Sequence, residues 1–405
     1  MGVLAVIVAA GLLGPLLGIW KRFPLPVVIG EIVAGMLIGP LVLDLVHPGE
    51  PLVAVLHDAG FALLMFTVGL HLRLHDPALR RAAPRASIAV AVTALVAAPM
   101  GMLLSAMSDL GHPAAIAVVL ATSSAALAMP ILTDTTGTEL PESFAGLAAW
   151  IVLADVITIV MLPLVSSTVS AWRVVLASLA VTAIAWILVH VLRVSRRWTI
   201  WTRLGATSRE KGWGIEMRIA LLILFALAWV GPKLGTSMLV AGFAAGVAVS
   251  AFGLSSRLTT QLVGVGEGFL IPAFFVILGT TLQPKGLISR DGAILFAGLV
   301  VGTLLVHLIG AVAAGFRPAF GLVASAQLGV PLALVTIGQA QGWLTGEEAA
   351  SFVAAALVSL AATSWGAHLL GRTRPRGLHV GVPKDLREPD DRPDGGAAQS
   401  GSGMP

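Results

Sequence analysis

No cysteine occurs among the 405 residues, so disulfides, thiolate metal sites and cysteine nucleophiles are all excluded, and the sequence carries no mark of a redox compartment. Charge is scarce as well. Asp, Glu, Lys and Arg make up 11% of the chain, against about 25% in an ordinary soluble domain, and 57% of residues are hydrophobic. A water-facing surface cannot be built from that composition, so the chain reads as an integral membrane protein. No Walker sequence, H-E-x-x-H helix or Gly-rich nucleotide loop occurs, so ATP-driven and metallopeptidase chemistry find no support. No paired nucleophile and base is visible either, and the protein is not read as an enzyme. The net charge is only +4, and the arginines stand in short clusters between apolar runs. That pattern reads as topology signals rather than a nucleic-acid surface.

What is present is a series of apolar runs, each near the length of about 20 residues that a helix needs to cross a bilayer. Thirteen candidate spans follow, at 3–20, 26–43, 52–72, 86–107, 113–133, 142–166, 171–192, 215–231, 236–252, 262–282, 292–315, 319–341 and 348–370. An odd number puts the termini on opposite faces. Lys21, Arg22, Arg73, Arg80, Arg81, Arg85, the basic residues between Arg193 and Arg218, Arg257 and Arg317 share the face of the C-terminal tail. The other face has Arg173, Lys233, Lys285 and Arg290. The positive-inside rule then predicts a multi-pass cell-membrane protein with its N-terminus outside and its C-terminus cytoplasmic. The first span has its positive charges after the apolar run, so it reads as retained rather than as a signal peptide. The tail is rich in Pro, Gly, Asp and Arg and is expected to be disordered.

Part of the sequence repeats. Val33–Gly39 returns as Val240–Gly246, and Leu64–Leu70 returns loosely as Ala273–Gly279; Gly39 to Gly246 and Gly69 to Gly279 are offsets of 207 and 210 residues. Matching spans are seven apart, so they cross in opposite directions, which is the inverted-topology repeat of secondary transporters.

Within the apolar spans one carboxylate is central. Asp155 lies 13 residues past Glu142 and 11 before Ser166, which predicts a position near the bilayer midplane. A charge there costs about 2.5–3.5 kcal/mol on insertion scales, and such residues usually face a cavity on a substrate path. His307 is the second candidate, 15 residues past Gly292 and 9 before Phe316, at a depth where it could share a proton with Asp155. The plainer reading of His307 is a neutral ring bonded across helices. Two spans look broken, at Ala121–Ala125 followed by Pro130 and at Gln327, Gly329 and Pro331. Proline removes a helix hydrogen bond, and the freed carbonyls and helix ends can ligate a cation. Thr122, Ser123 and Ser124 offer oxygen ligands for a hard monovalent ion. Glu31 and Glu267 lie nearer span ends and weigh less.

The runs Gly30–Pro40 (GEIVAGMLIGP), Leu63–Leu70 (LLMFTVGL) and Phe274-Phe275 ahead of Gly279 resemble the monovalent cation:proton antiporter superfamily of sodium/proton exchanger type, particularly the family that includes the potassium efflux antiporters. The resemblance covers residues 1–371. It implies an all-α membrane fold of about thirteen helices, with an inverted repeat and two crossing broken helices, assembled as a homodimer. It also implies a dimerisation side over about 1–75 and 215–283, a core over about 86–166 and 292–371, a linker helix over about 171–192, and a tail from 372 to 405. Asp155 falls at the family's ion-binding aspartate, and Ala154 stands where relatives carry a second Asp, an Asn or a Gln. His307 falls where many relatives carry Lys. Gln327 and Gly329 keep part of a Gln-x-Gly-Glu pattern whose Glu is here Val330.

The implied reaction is exchange of Na+ or K+ for H+, both competing for Asp155, with no cofactor beyond the transported ions. Two other classes stay open at this stage. One is a passive cation channel or uniporter; the other is an organic-anion symporter, which would need basic residues near the crossing, where only His307 is available.

Overall fold

The computed structural model describes residues 1–18, 27–71, 77–125, 127–129, 142–166, 171–195, 207–208, 210–211, 214–251 and 256–372. Pro130 and the tail from residue 373 lie outside the described residues. No strand occurs among those that are described. Eight of their helices are long and apolar enough to cross a membrane, and four more apolar helices are shorter.

The first part of the chain supplies α1 (Gly2–Gly11), α2 (Leu13–Gly18), α3 (Val27–Ile38), α4 (Pro51–His71), α5 (Pro77–Met107), α6 (Pro113–Ala121), α7 (Ala145–Ser166) and α8 (Ala171–Ser195). The second part supplies α9 (Ile215–Leu234), α10 (Met238–Ala251), α11 (Ser256–Val265), α12 (Ile271–Thr281), α13 (Arg290–Ala313), α14 (Pro318–Ala324), α15 (Gly329–Ala340) and α16 (Gly346–Arg372). Local sequence accounts for many of the ends. Helices α4, α5, α6 and α14 open on proline, which needs no amide partner in the first turn. Ser289 caps α13 by accepting from the Gly292 amide at 3.2 Å. Thr345 and Glu348 form a capping box at α16, each side chain accepting the other's backbone amide.

Some boundaries differ from the expected spans. Helix α5 begins at Pro77 rather than near 86, so Arg80, Arg81 and Arg85 sit on helix and not in a loop. Long basic side chains allow this because the stem follows the apolar surface while the charge stays in water. Helix α3 stops at Ile38, and residues 39–43 turn instead of extending the span, since Pro40 disfavours helix in the residue before it. Helix α16 runs to Arg372, one residue into the expected tail.

The repeat found in the sequence reappears in the packing. Helix α3 packs on α12 and α10 packs on α4, so the first helix of each repeat lies against the second helix of the other. Both crossings are made at glycine. A methyl group at Gly35 would strike the Val276 carbonyl and one at Gly279 the Ile32 carbonyl; likewise Gly69 faces the Phe243 carbonyl and Gly246 the Phe66 carbonyl. Every one of these glycines meets the carbonyl three residues before its counterpart. Small residues bring helix backbones together where no hydrophobic drive operates between them. The remaining helices form matching sets, with α5, α6 and α7 mutually packed as are α13, α14 and α16.

Candidate functional site

Two interrupted helices meet in the interior. Helix α6 ends at Ala121, residues Thr122, Ser123 and Ser124 are non-helical, and helix resumes at Ala125. Helix α14 ends at Ala324, residues 325–328 are non-helical, and α15 starts at Gly329. Broken backbone inside a membrane needs burial within protein, because lipid cannot satisfy the freed amides and carbonyls. The span Pro318–Ala340 meets that need, with 78% of its apolar window buried, against 28% for the α5 span. The breaks are joined directly: the Ser123 hydroxyl donates to the Ala324 carbonyl at 2.5 Å. Pro331 sits in the first turn of α15 and does not kink it, so in this span proline marks the restart of the helix.

Asp155 lies at the centre of α7 and is 3% exposed. Its Oδ2 accepts the Ala125 amide at 3.0 Å, so it caps the half-helix that restarts after the first break. A carboxylate at that position faces unpaired first-turn amides and the positive end of a helix dipole. Among the described residues no ion pair joins Asp155 to a basic group, and no group of three or more His, Cys, Asp or Glu side chains could hold a metal. Among the described residues, what the site offers an ion is one carboxylate with hydroxyls and carbonyls around it. Thr122 supplies one hydroxyl, 2.8 Å from that of Thr158 on α7, and Thr158 in turn donates to the Ala154 carbonyl at 2.7 Å.

His307 is fully buried and faces the first break. Its Nδ1 donates to the Thr303 carbonyl one turn earlier at 2.8 Å, and its Nε2 lies 3.5 Å from the Ser123 hydroxyl. The Thr122 carbonyl also faces the ring. Both nitrogens thus face oxygens, an arrangement that satisfies the ring with one proton or two provided the Ser123 hydroxyl turns. Trp150 stacks on the imidazole with centroids 5.8 Å apart. His307 is 17 residues from the start of α13 and 6 from its end, roughly 8 Å off the helix centre at about 1.5 Å per residue. It makes no ion pair with Asp155. The expected proton sharing is therefore not a direct contact, and the residues between them are those of the first break.

Gln327 closes the second break. Its Nε2 donates to the Thr303 hydroxyl at 2.9 Å, and its backbone amide donates to the Ser359 hydroxyl at 3.3 Å. The buried Gln327 Oε1 has no hydrogen-bond partner among the described residues. Thr303 thereby joins His307 and Gln327, its carbonyl serving one and its hydroxyl the other. Thr158, Trp150 and Thr303 were not singled out from sequence. Helical spacing could have found two of them, since Thr158 is three residues after Asp155 and Thr303 four before His307.

Comparison with known proteins adds a family. The model described as sodium/hydrogen exchanger, transmembrane, matches residues 7–370. The chain is 26% identical over 299 residues to the Na(+)/H(+)-K(+) antiporter GerN of Bacillus cereus, covering 71% of this chain and 73% of that protein. It is 28% identical over 313 residues to the glutathione-regulated potassium-efflux system protein KefC of Klebsiella pneumoniae, covering 74% of this chain and 48% of that one. Among solved structures, the sodium proton antiporter MjNhaP1 from Methanocaldococcus jannaschii at pH 8 has the same fold, with a TM-score of 0.62 at 14% identity over 92% of this chain and 98% of that one.

Proposed function

The chain belongs to the sodium/hydrogen exchanger family, and from that premise we propose that it exchanges a monovalent cation, Na+ or K+, for protons across the membrane by competition at Asp155. The observation that carries this reading is a buried carboxylate capping a broken helix, with no basic side chain among the described residues paired to it. Protonated, Asp155 excludes the cation. Ionised, it binds the cation with oxygens from Thr122, Ser123 and Ser124, whose side chains are buried in the break that ends at the Ala125 amide Asp155 accepts. The half-helix dipole compensates the charged carboxylate before either ion arrives. Because no carboxylate among the described residues forms an ion pair with His307, the ring is neutral for much of the cycle, and one cation exchanges for one proton.

Movement completes the reading. Helices α5–α7 and α13–α16 act as a core that carries Asp155 between the two faces, against a dimerisation side built from α1–α4 and α9–α12, with α8 between them. The N-terminus lies outside the cell and the working unit is a homodimer. A ligand shifts such an equilibrium only by binding one state better, which the competition at Asp155 supplies. The test is purified protein in liposomes with an imposed pH gradient and an internal pH dye. Addition of Na+ or K+ should collapse the gradient at a rate that does not change when the membrane potential is clamped at zero or made inside-negative. Cation flux indifferent to the pH gradient would replace this reading with a passive channel.

A further inference from the structure

A cavity of about 520 Å3 opens where the starts of α5 and α7 meet the turn between α13 and α14. Arg81, Arg85 and Arg317 line it, together with Ser143, Phe316 and Phe320. Residues so far apart in the chain gather here only because the fold brings three helix ends to one face. By the arginine count, that face is the cytoplasmic one.

Three features make this more than a set of topology charges. Arg81 and Arg85 stand at i and i+4 on one helix, and a like-charged pair at that spacing is mildly destabilising unless an anion offsets it. Among the described residues neither of the two has a carboxylate within ion-pair distance. The cavity is also open where the charges converge: Gly315, at φ 70°, lines it without a side chain, and the Arg85 guanidinium lies 3.9 Å from where a Gly315 methyl would stand, while Gly146 lets the Phe316 ring lie close against the start of α7. The short 3-10 turn Glu142–Phe144 leads into α7 here, so the positive end of a 22-residue helix adds to the same field.

We propose that this cavity is an anion site that takes a phosphate group. Guanidinium forks match the tetrahedral oxygens of phosphate with paired, charge-assisted hydrogen bonds, which a single ammonium cannot do. The phenylalanine floor fits a phosphate that arrives on an apolar body. A basic pocket between membrane helices can draw such a group from an anionic lipid or from a soluble phosphate. The site is also connected to the ion crossing. Phe316 lines the cavity and stacks on Trp150 with centroids 6.1 Å apart, and Trp150 stacks on His307.

The test follows thermal unfolding by intrinsic tryptophan fluorescence, since the chain offers no thiol for a dye. Inorganic phosphate is titrated into detergent-solubilised protein at constant ionic strength, with chloride as the control anion. In parallel, protein is reconstituted into phosphatidylcholine bilayers with and without phosphatidic acid. Wild type should be stabilised by phosphate, by phosphatidic acid or by both, and the responding arm identifies the source. Arg81→Gln with Arg85→Gln should weaken that response about tenfold or more, as expected for losing charged hydrogen-bond partners. Arg80→Gln, one residue away and outside the cavity, should respond as wild type does. If the double variant does not fold, Arg81→Lys with Arg85→Lys takes its place and should weaken the response while retaining the charge. No response in either arm, or an equal response in wild type and the Arg81/Arg85 variants, would overturn the proposal.

Discussion

Asp155 and His307 differ in how their charge is managed. Asp155 has a backbone amide pointing at it from the start of a half-helix. His307 has oxygens around both nitrogens and an aromatic face against the ring, with no counter-charge paired to it among the described residues. The account predicts that Asp155→Asn, which keeps volume and hydrogen bonding but cannot titrate, abolishes cation-coupled proton movement in proteoliposomes while the protein still purifies folded. His307→Gln should retain exchange with a shifted pH profile, because an amide can still donate to the Thr303 carbonyl. Loss of exchange in a folded His307→Gln protein would mean that the ring carries a proton of the cycle. Asp155 was legible in the sequence because a carboxylate amid apolar residues is costly and therefore conspicuous. Thr158 and Thr303 were not, because a threonine satisfies itself on its own helix and looks the same whether or not it also serves a neighbour.

At the scale of elements, the breaks were legible and their geometry was not. Ser, Gly and Pro marked where α6 and α14 end, but only packing could tell that Ser123 reaches Ala324 or that Pro331 belongs to a restarted first turn. The start of α5 was misplaced because arginines read as loop, whereas a helix end at a membrane surface tolerates them. The glycine crossings make a sharper claim. At Gly35 any side chain would run into the Val276 carbonyl, whereas at Gly49 a methyl group would meet open space. Gly35→Val should therefore lower stability by about 1–3 kcal/mol, the usual cost of overpacking, and Gly49→Val should not. Melting temperatures of the purified variants in one detergent measure the difference. Equal losses would show that α3 and α12 do not depend on close approach.

For the whole molecule, the sequence repeat foretold the architecture because the same glycine-spaced run serves the same crossing twice. The exchanged pairing, α3 with α12 and α10 with α4, was beyond reach, since a repeat in sequence does not say which copy each helix packs against. Residues 1–372 form one packed unit and the family match ends at residue 370. A chain ending at Arg376 should therefore insert and exchange ions at the rate of the full chain. Lost activity at normal expression would assign the tail a part in gating.

Competition at one carboxylate is the central claim, and it is tested most directly by the apparent KM for Na+ or K+ measured in proteoliposomes across a series of pH values. If cation and proton exclude each other at Asp155, the apparent KM should rise about tenfold for each unit of acidification on the acid side while the maximal rate holds, by the linkage of one proton to one ion. An apparent KM that stays constant while the maximal rate falls would contradict the account, because the two ions would then be using separate sites.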